Sequence, residues 1–211
     1  MSLEHHREFC DWLGALKNVD IAWHGLHHVH KGLKIGQEFQ GESHTENLQK
    51  LVRIREIFAT AGLNYTNGLC PPVWNAFSQL VSALDAIGNE YLASSRDIFS
   101  PVAKGAECKM SGIQGTPLIH ACKIGKQGHI PTNFQATNTP DRAIDILNLG
   151  GILSIKAHVV KSAFGYVAQD ALDPIYCNYL NLLFEKLKHR FGERLWWTSM
   201  DQINRSIRKK F

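Results

Sequence analysis

Residues 43–62, SHTENLQKLVRIREIFATAG, constrain the fold more than any other stretch, because both ends of a helix are written into them. Ser43 and Glu46 form the Ser-x-x-Glu pattern in which each side chain can satisfy a backbone N–H at a helix start. Leu48, Leu51, Val52 and Phe58 supply an apolar stripe, and Gly62 offers the left-handed stop. The segments around this helix read as strands. Residues 19–23 form a short apolar run, and YTNGLC runs into Pro71 and Pro72. The alternation continues with a helix capped by Asn75 and reaching Ile87, a strand in EYLASS, and a helix in TPDRAIDILNLGG with Thr139 as cap and Pro140 in its first turn. GILSIKAHVV then reads as a strand carrying His158, followed by a helix over 174–190, a strand in RLWWT and a last helix from about Met200. Residues 4–17 have a helical pattern as well.

Strand and helix in alternation predict an α/β protein of parallel βα units, either a doubly wound sheet or a barrel. The length, 211 residues, suits a single domain. Residues 101–142 interrupt the pattern, since they hold four of the seven prolines and are expected to be long loops around short strands such as PLIHACK. In both architectures chemistry collects where parallel strands end. His24 and Pro71 directly follow predicted strands and His158 lies near the end of one, so these residues are candidates to meet.

Composition removes several classes of function. No window approaches the roughly 18 to 20 apolar residues of a membrane helix, and the N-terminus lacks the layout of a secretory signal. A net charge of +4 is small, and the one basic cluster, residues 205–210, fits a solvated helix end better than a nucleic-acid footprint. Neither membrane nor nucleic acid is expected as a partner. The five cysteines are widely spaced and never in CxxC, which fits free thiols in a reducing, cytoplasmic setting.

The run IAWHGLHHVHKG crowds His24, His27, His28 and His30 directly after the first predicted strand. His24 and His28 stand at i and i+4, which on one helical turn brings two imidazoles to the same side, as a first-row metal requires. Two ligands are fewer than the three of a catalytic zinc, so a third group, an Asp being the natural one, has to complete the site. The alternative reading is a polar surface turn. Glu38, Glu42 and Asp97 can approach such a site, but loop carboxylates at the surface are the expected reading for the first two. Trp23, Trp196 and Trp197 are expected in the core.

The segments WHGLHHVHKG, EFQGE and AGLNYTNGLCPPVWNAFSQLVSALDAIGNEYLASSRDI, in this order, resemble the polysaccharide deacetylases (NodB-type, carbohydrate esterase family 4), in the bacterial branch with an HGxxH signature. The closing YCNYLNLLFEKLKHRFGERLWWTSMDQI is similar too, while residues 101–142 match nothing in the family pattern. The resemblance implies a distorted (β/α) barrel with a divalent metal, zinc above all, on His24 and His28. It implies a substrate groove lined by Pro71, Pro72 and Trp74, though CPPVW lacks the arginine of the commoner RxPY form, and a general acid at His158, in LSIKAH. The implied reaction is hydrolysis of an acetyl group on a carbohydrate.

One departure bears on activity. The family's Asp-Asp motif, source of the base and of the third metal ligand, has no counterpart among the 23 residues before His24, where Asp11 and Asp20 lack its context. The barrel is therefore expected to be incomplete at its N-terminus, and a non-catalytic carbohydrate- or metal-binding relative is the alternative function. An incomplete barrel exposes a sheet edge, so poor solubility or a homo-oligomer is expected of the chain.

Overall fold

The structure is a computed structural model. It describes residues 2–28, 38–39, 41–74, 76–94, 116–134, 138–158, 161–163, 166–168 and 173–209. The readings placed on His30, Asn75, Asp97 and Cys108, and those on residues 101–115 and 135–137, lie outside the described residues.

A single 3-10 turn, Leu3–His5, leads into α1 (Arg7–Gly14), so the helical pattern of residues 4–17 is realised only in part. α2 (His44–Ala61) has the ends its sequence specifies: Ser43 and Glu46 close a reciprocal capping box, and Gly62 caps the other end at φ 68°. β1 (Gly68–Leu69) follows, then a 3-10 turn over Pro72–Trp74, α3 (Ser78–Ala86) and β2 (Tyr91–Ala93). The N-cap of α3 is Phe77, whose side chain makes no capping bond, so the helix begins later than an Asn75 cap would place it. β3 (Cys122–Ile124) and β4 (Gln127–Ile130) form a hairpin inside the predicted loop region. α4 (Pro140–Asn148) starts on its proline, as expected, although Thr139 gives no side-chain cap. β5 (Lys161–Ala163) and β6 (Tyr166–Ala168) pair with each other, and α5 (Pro174–Phe191) and α6 (Met200–Arg208) close the described chain.

The four-strand sheet has the order β1-β2-β4-β3, with β1, β2 and β4 parallel and β3 antiparallel. Two isolated parallel bridges extend it. Trp23 joins Leu69 beside β1, and Ile155 joins Phe134 just beyond β4. Of the predicted strand 19–23, residues 21–23 are thus a strand edge held by three backbone bonds (Thr66 N–H to Ile21, Trp23 N–H to Gly68, Cys70 N–H to Trp23) rather than a full strand. The sheet is open, and no barrel closes among the described residues. Mixed α/β architecture is what the alternation requires, whereas the expected barrel is not what these strands form.

One core lies between the sheet and its first two long helices, where Leu51 and Ile54 of α2 and Leu80, Ala83 and Leu84 of α3 cover Trp23, Leu69 and Leu92. A second joins Ala143 of α4 and Leu183 and Leu187 of α5 to Phe134. Two glycines permit the close approaches. A Cβ on Gly68 would run into the Tyr91 ring, and one on Gly128 would meet Asn204 of α6, so alanine at either position pushes a packed element away.

The segment 152–156, predicted as a strand, is reduced to a single parallel bridge, with Phe134 N–H bonding the Ser154 carbonyl, Lys156 N–H the Phe134 carbonyl and Ile152 N–H the Ile119 carbonyl, and side-chain bonds reinforce it. The buried Asn133 amide donates to the carbonyls of Leu118 and Ile152 and accepts from Ser154 N–H. RLWWT is not a strand: a 3-10 turn occupies Gly192–Arg194, and Trp196 and Trp197 are 59% and 56% exposed rather than in the core. No described helix is long and apolar enough to cross a membrane.

Candidate functional site

The parallel backbone segments end on one side of the sheet, and there His24 follows Trp23, Cys70 follows Leu69, and Lys156 follows Ile155. His24 is fixed first. Its Nδ1 lies 2.6 Å from the Cys70 carbonyl oxygen, which can only accept, so Nδ1 carries the proton and Nε2 keeps its lone pair. The His28 ring sits with its centroid 5.0 Å from that of His24.

The pair meets, but not through a helix. Residues 25–28 form a turn in which His28 has φ 51°, the left-handed region. Three successive N–H groups of this turn converge on one carboxylate. Glu38 accepts from Leu26 (2.8 Å), from His27 (3.2 and 3.3 Å) and from His28 (2.8 Å). At 1% exposure Glu38 is the reverse of the surface carboxylate expected from the sequence. Successive N–H groups curled around an anion form a nest, which here holds an anion from the chain itself. Glu42 is not a solvated loop residue either, since Lys50 bonds it at 2.6 Å and donates to the Glu38 carbonyl at 3.0 Å. The neighbour that makes Glu38 an inward residue is Phe39, 2% exposed in the core; a carboxylate beside a large apolar residue in a polar loop was the available signal.

Gly25 explains how the turn fits. A Cβ there would stand 2.6 Å from Glu38 Oε2 and 2.9 Å from Pro72 Cγ. The histidine turn, the Glu38–Phe39 loop and the proline pair are therefore one packed unit. Pro71 and Pro72 are buried, and Trp74 is 8% exposed in an unusual left-handed conformation, φ 56°. Lys156 lies over the Trp74 ring, its Nζ 3.2 Å from the centroid, a close cation–π contact. Three of the expected groove residues thus form a wall closed on one side by a lysine that the sequence did not single out. His158 stands two residues beyond Lys156 and is half-buried. It is Lys156 whose charge is felt at His24.

Electrostatics favour a neutral imidazole. Although one edge of His24 reaches solvent, the protein around the ring holds its pKa below the ordinary value, desolvation being the largest cause. The Cys70 hydrogen bond and Glu38 oppose this, while His28 and Lys156 add to it. Burial pushes the Cys70 thiol up to about 11 against the pull of Lys156, so it stays protonated and is a poor nucleophile.

The donor chemistry of the pair fits two ligand positions of a zinc-type ion. Two imidazoles on one tetrahedral zinc, with metal–nitrogen bonds of about 2.0–2.1 Å, have ring centres about 5 Å apart. A ligating histidine also commonly donates its other N–H to a carbonyl or carboxylate, as His24 does to Cys70. Among the described residues, however, no group of three or more His, Cys, Asp or Glu is placed to hold a metal ion. Asp11 is tied to Arg7 on α1, and Asp20 is an exposed residue before the strand edge. Comparison of the chain with protein-family models, with curated proteins and with solved structures found no match.

Proposed function

We propose that this chain carries the histidine half of a metal-dependent carbohydrate deacetylase site. The observation that carries the reading is the convergence of His24 and His28 at the end of a parallel strand edge, with the His24 tautomer fixed by Cys70. His24 would ligate through Nε2 and His28 through a ring nitrogen. A divalent ion bound there supplies polarisation of an acyl carbonyl and a bound water of lowered pKa.

The chain's own residues have separate tasks in this reading. Pro71, Pro72 and Trp74 stiffen the wall beside the pair, and Lys156 keeps positive charge next to it, where a neutral His24 is favoured. His158, on the segment pinned by Asn133, is proposed to donate the proton to the leaving sugar amine or alkoxide. In this reading the parallel strands and their bridges would correspond to part of a deacetylase-type barrel wall.

A second reading is favoured by one observation. No third ligand and no carboxylate base accompanies the pair among the described residues, because both Glu38 oxygens are engaged by N–H groups. A relative that binds a metal or a carbohydrate without turnover has this appearance. Acetate release from N-acetylated and O-acetylated oligosaccharides, with zinc added, separates the two. Turnover lost in His24→Ala and in His158→Ala supports the hydrolase. Saccharide binding by calorimetry without acetate release supports the silent relative, and neither binding nor release overturns both.

A further inference from the structure

Glu38 spends a buried negative charge on holding a turn. Its two oxygens take the N–H groups of three consecutive residues, the last of which is His28. That residue sits at φ 51°, which an L-residue adopts at some cost, so something must hold it there. The carboxylate does so directly, by accepting the His28 N–H at 2.8 Å. The loop that carries Glu38 is anchored in turn, by Phe39 in the core and by Lys50 of α2 bonding the Glu38 carbonyl at 3.0 Å. Gly25 leaves the space the carboxylate occupies.

We infer that Glu38 is the positioning residue of the histidine pair: its carboxylate nests the amides of residues 26–28 and thereby sets the approach of His28 to His24 for metal binding. This rests on the metal reading above. It also explains why the group is a carboxylate. Two acceptor oxygens serve three converging donors, whereas the amide of a glutamine would turn an NH2 toward one of those N–H groups. Glu38 makes no contact with metal in this role; it acts through the backbone of the turn, as an outer-shell partner does.

The test uses the whole chain and cobalt(II) as probe, with zinc in competition. Glu38→Gln and Gly25→Ala, the second displacing the carboxylate without altering it, should each weaken cobalt affinity by about 10- to 100-fold, the usual effect of losing an outer-shell partner. The visible d–d bands of the remaining complex should change, which a loss of stability alone does not produce. In the wild-type chain, the amides of Leu26 and His28 should resonate downfield in 1H–15N spectra, as N–H groups bonded to a carboxylate do, so the carboxylate nest can be checked even where a variant does not fold. A wild type that binds cobalt while both folded variants bind it equally, with unchanged bands, overturns the role of Glu38 and leaves the metal site standing. A wild type that binds neither ion overturns the metal reading and this role together, and amides without the downfield shift overturn the nest itself.

Discussion

His129 lies fully buried in β4 with Nε2 3.0 Å from the Ser94 hydroxyl, and desolvation holds its pKa down to about 4 against an ordinary 6.5. The unfolded chain therefore binds a proton on this ring where the folded chain does not. Stability is full above about pH 6.5 and is lost as pH falls toward 4. The effect amounts to about 2 kcal/mol between pH 7 and pH 5. Urea melts at the two pH values should show that loss, and the stability gap between wild type and His129→Asn should narrow at the lower pH; a gap that stays constant contradicts the assignment. At this scale the spacing of His24 and His28 pointed to two rings that do meet, though through a turn with His28 at φ 51° and not through the helical turn that the spacing implied. The sequence was unreadable at Glu38, Asn133 and Lys156, because what each does depends on a backbone that arrives from elsewhere in the chain.

Helix ends were legible where a complete local signal marks them, whereas α3 is capped at Phe77 and not at the expected Asn75. The Ser43–Glu46 box and Gly62 set α2, Pro140 starts α4, and Asp173 accepts from Ile175 N–H at the start of α5. Replacing Ser43 by Ala removes one acceptor at the N-terminus of α2 and should cost about 1 kcal/mol. Chemical denaturation checks it, and an unchanged midpoint would mean that packing of Leu51 and Ile54 alone holds that end. Strands were less legible, since a strand exists only where a partner offers its ladder. RLWWT has strand propensity, yet Leu195 N–H bonds back to Gly192 within a turn. Residues 152–156 have a neighbour, but the Asn133 side chain takes part of the ladder's role, leaving one bridge at Ile155.

For the whole molecule, the alternation of elements implied a parallel α/β core, and β1, β2 and β4 are parallel; closure of the sheet could not be read from it, because closure depends on which edges meet. Among the described residues the sheet is open at the edge formed by residues 21–23, and the preceding segment carries exposed apolar side chains, Phe9, Trp12 and Val19, with Phe9 and Trp12 in ring contact at 5.7 Å. Exposed apolar surface beside an unpaired strand favours association. Sedimentation velocity should show self-association that rises with concentration and weakens in Trp12→Ser; a sharp monomer at all concentrations contradicts it.

A metal on the histidine pair is tested most directly by elemental analysis of protein purified without a histidine tag, after equilibration with zinc and removal of the excess. About one zinc per chain is expected in the wild type and none in the His24→Ala/His28→Ala double variant. Equal zinc in both, or zinc in neither, would contradict a metal site at the end of this strand edge.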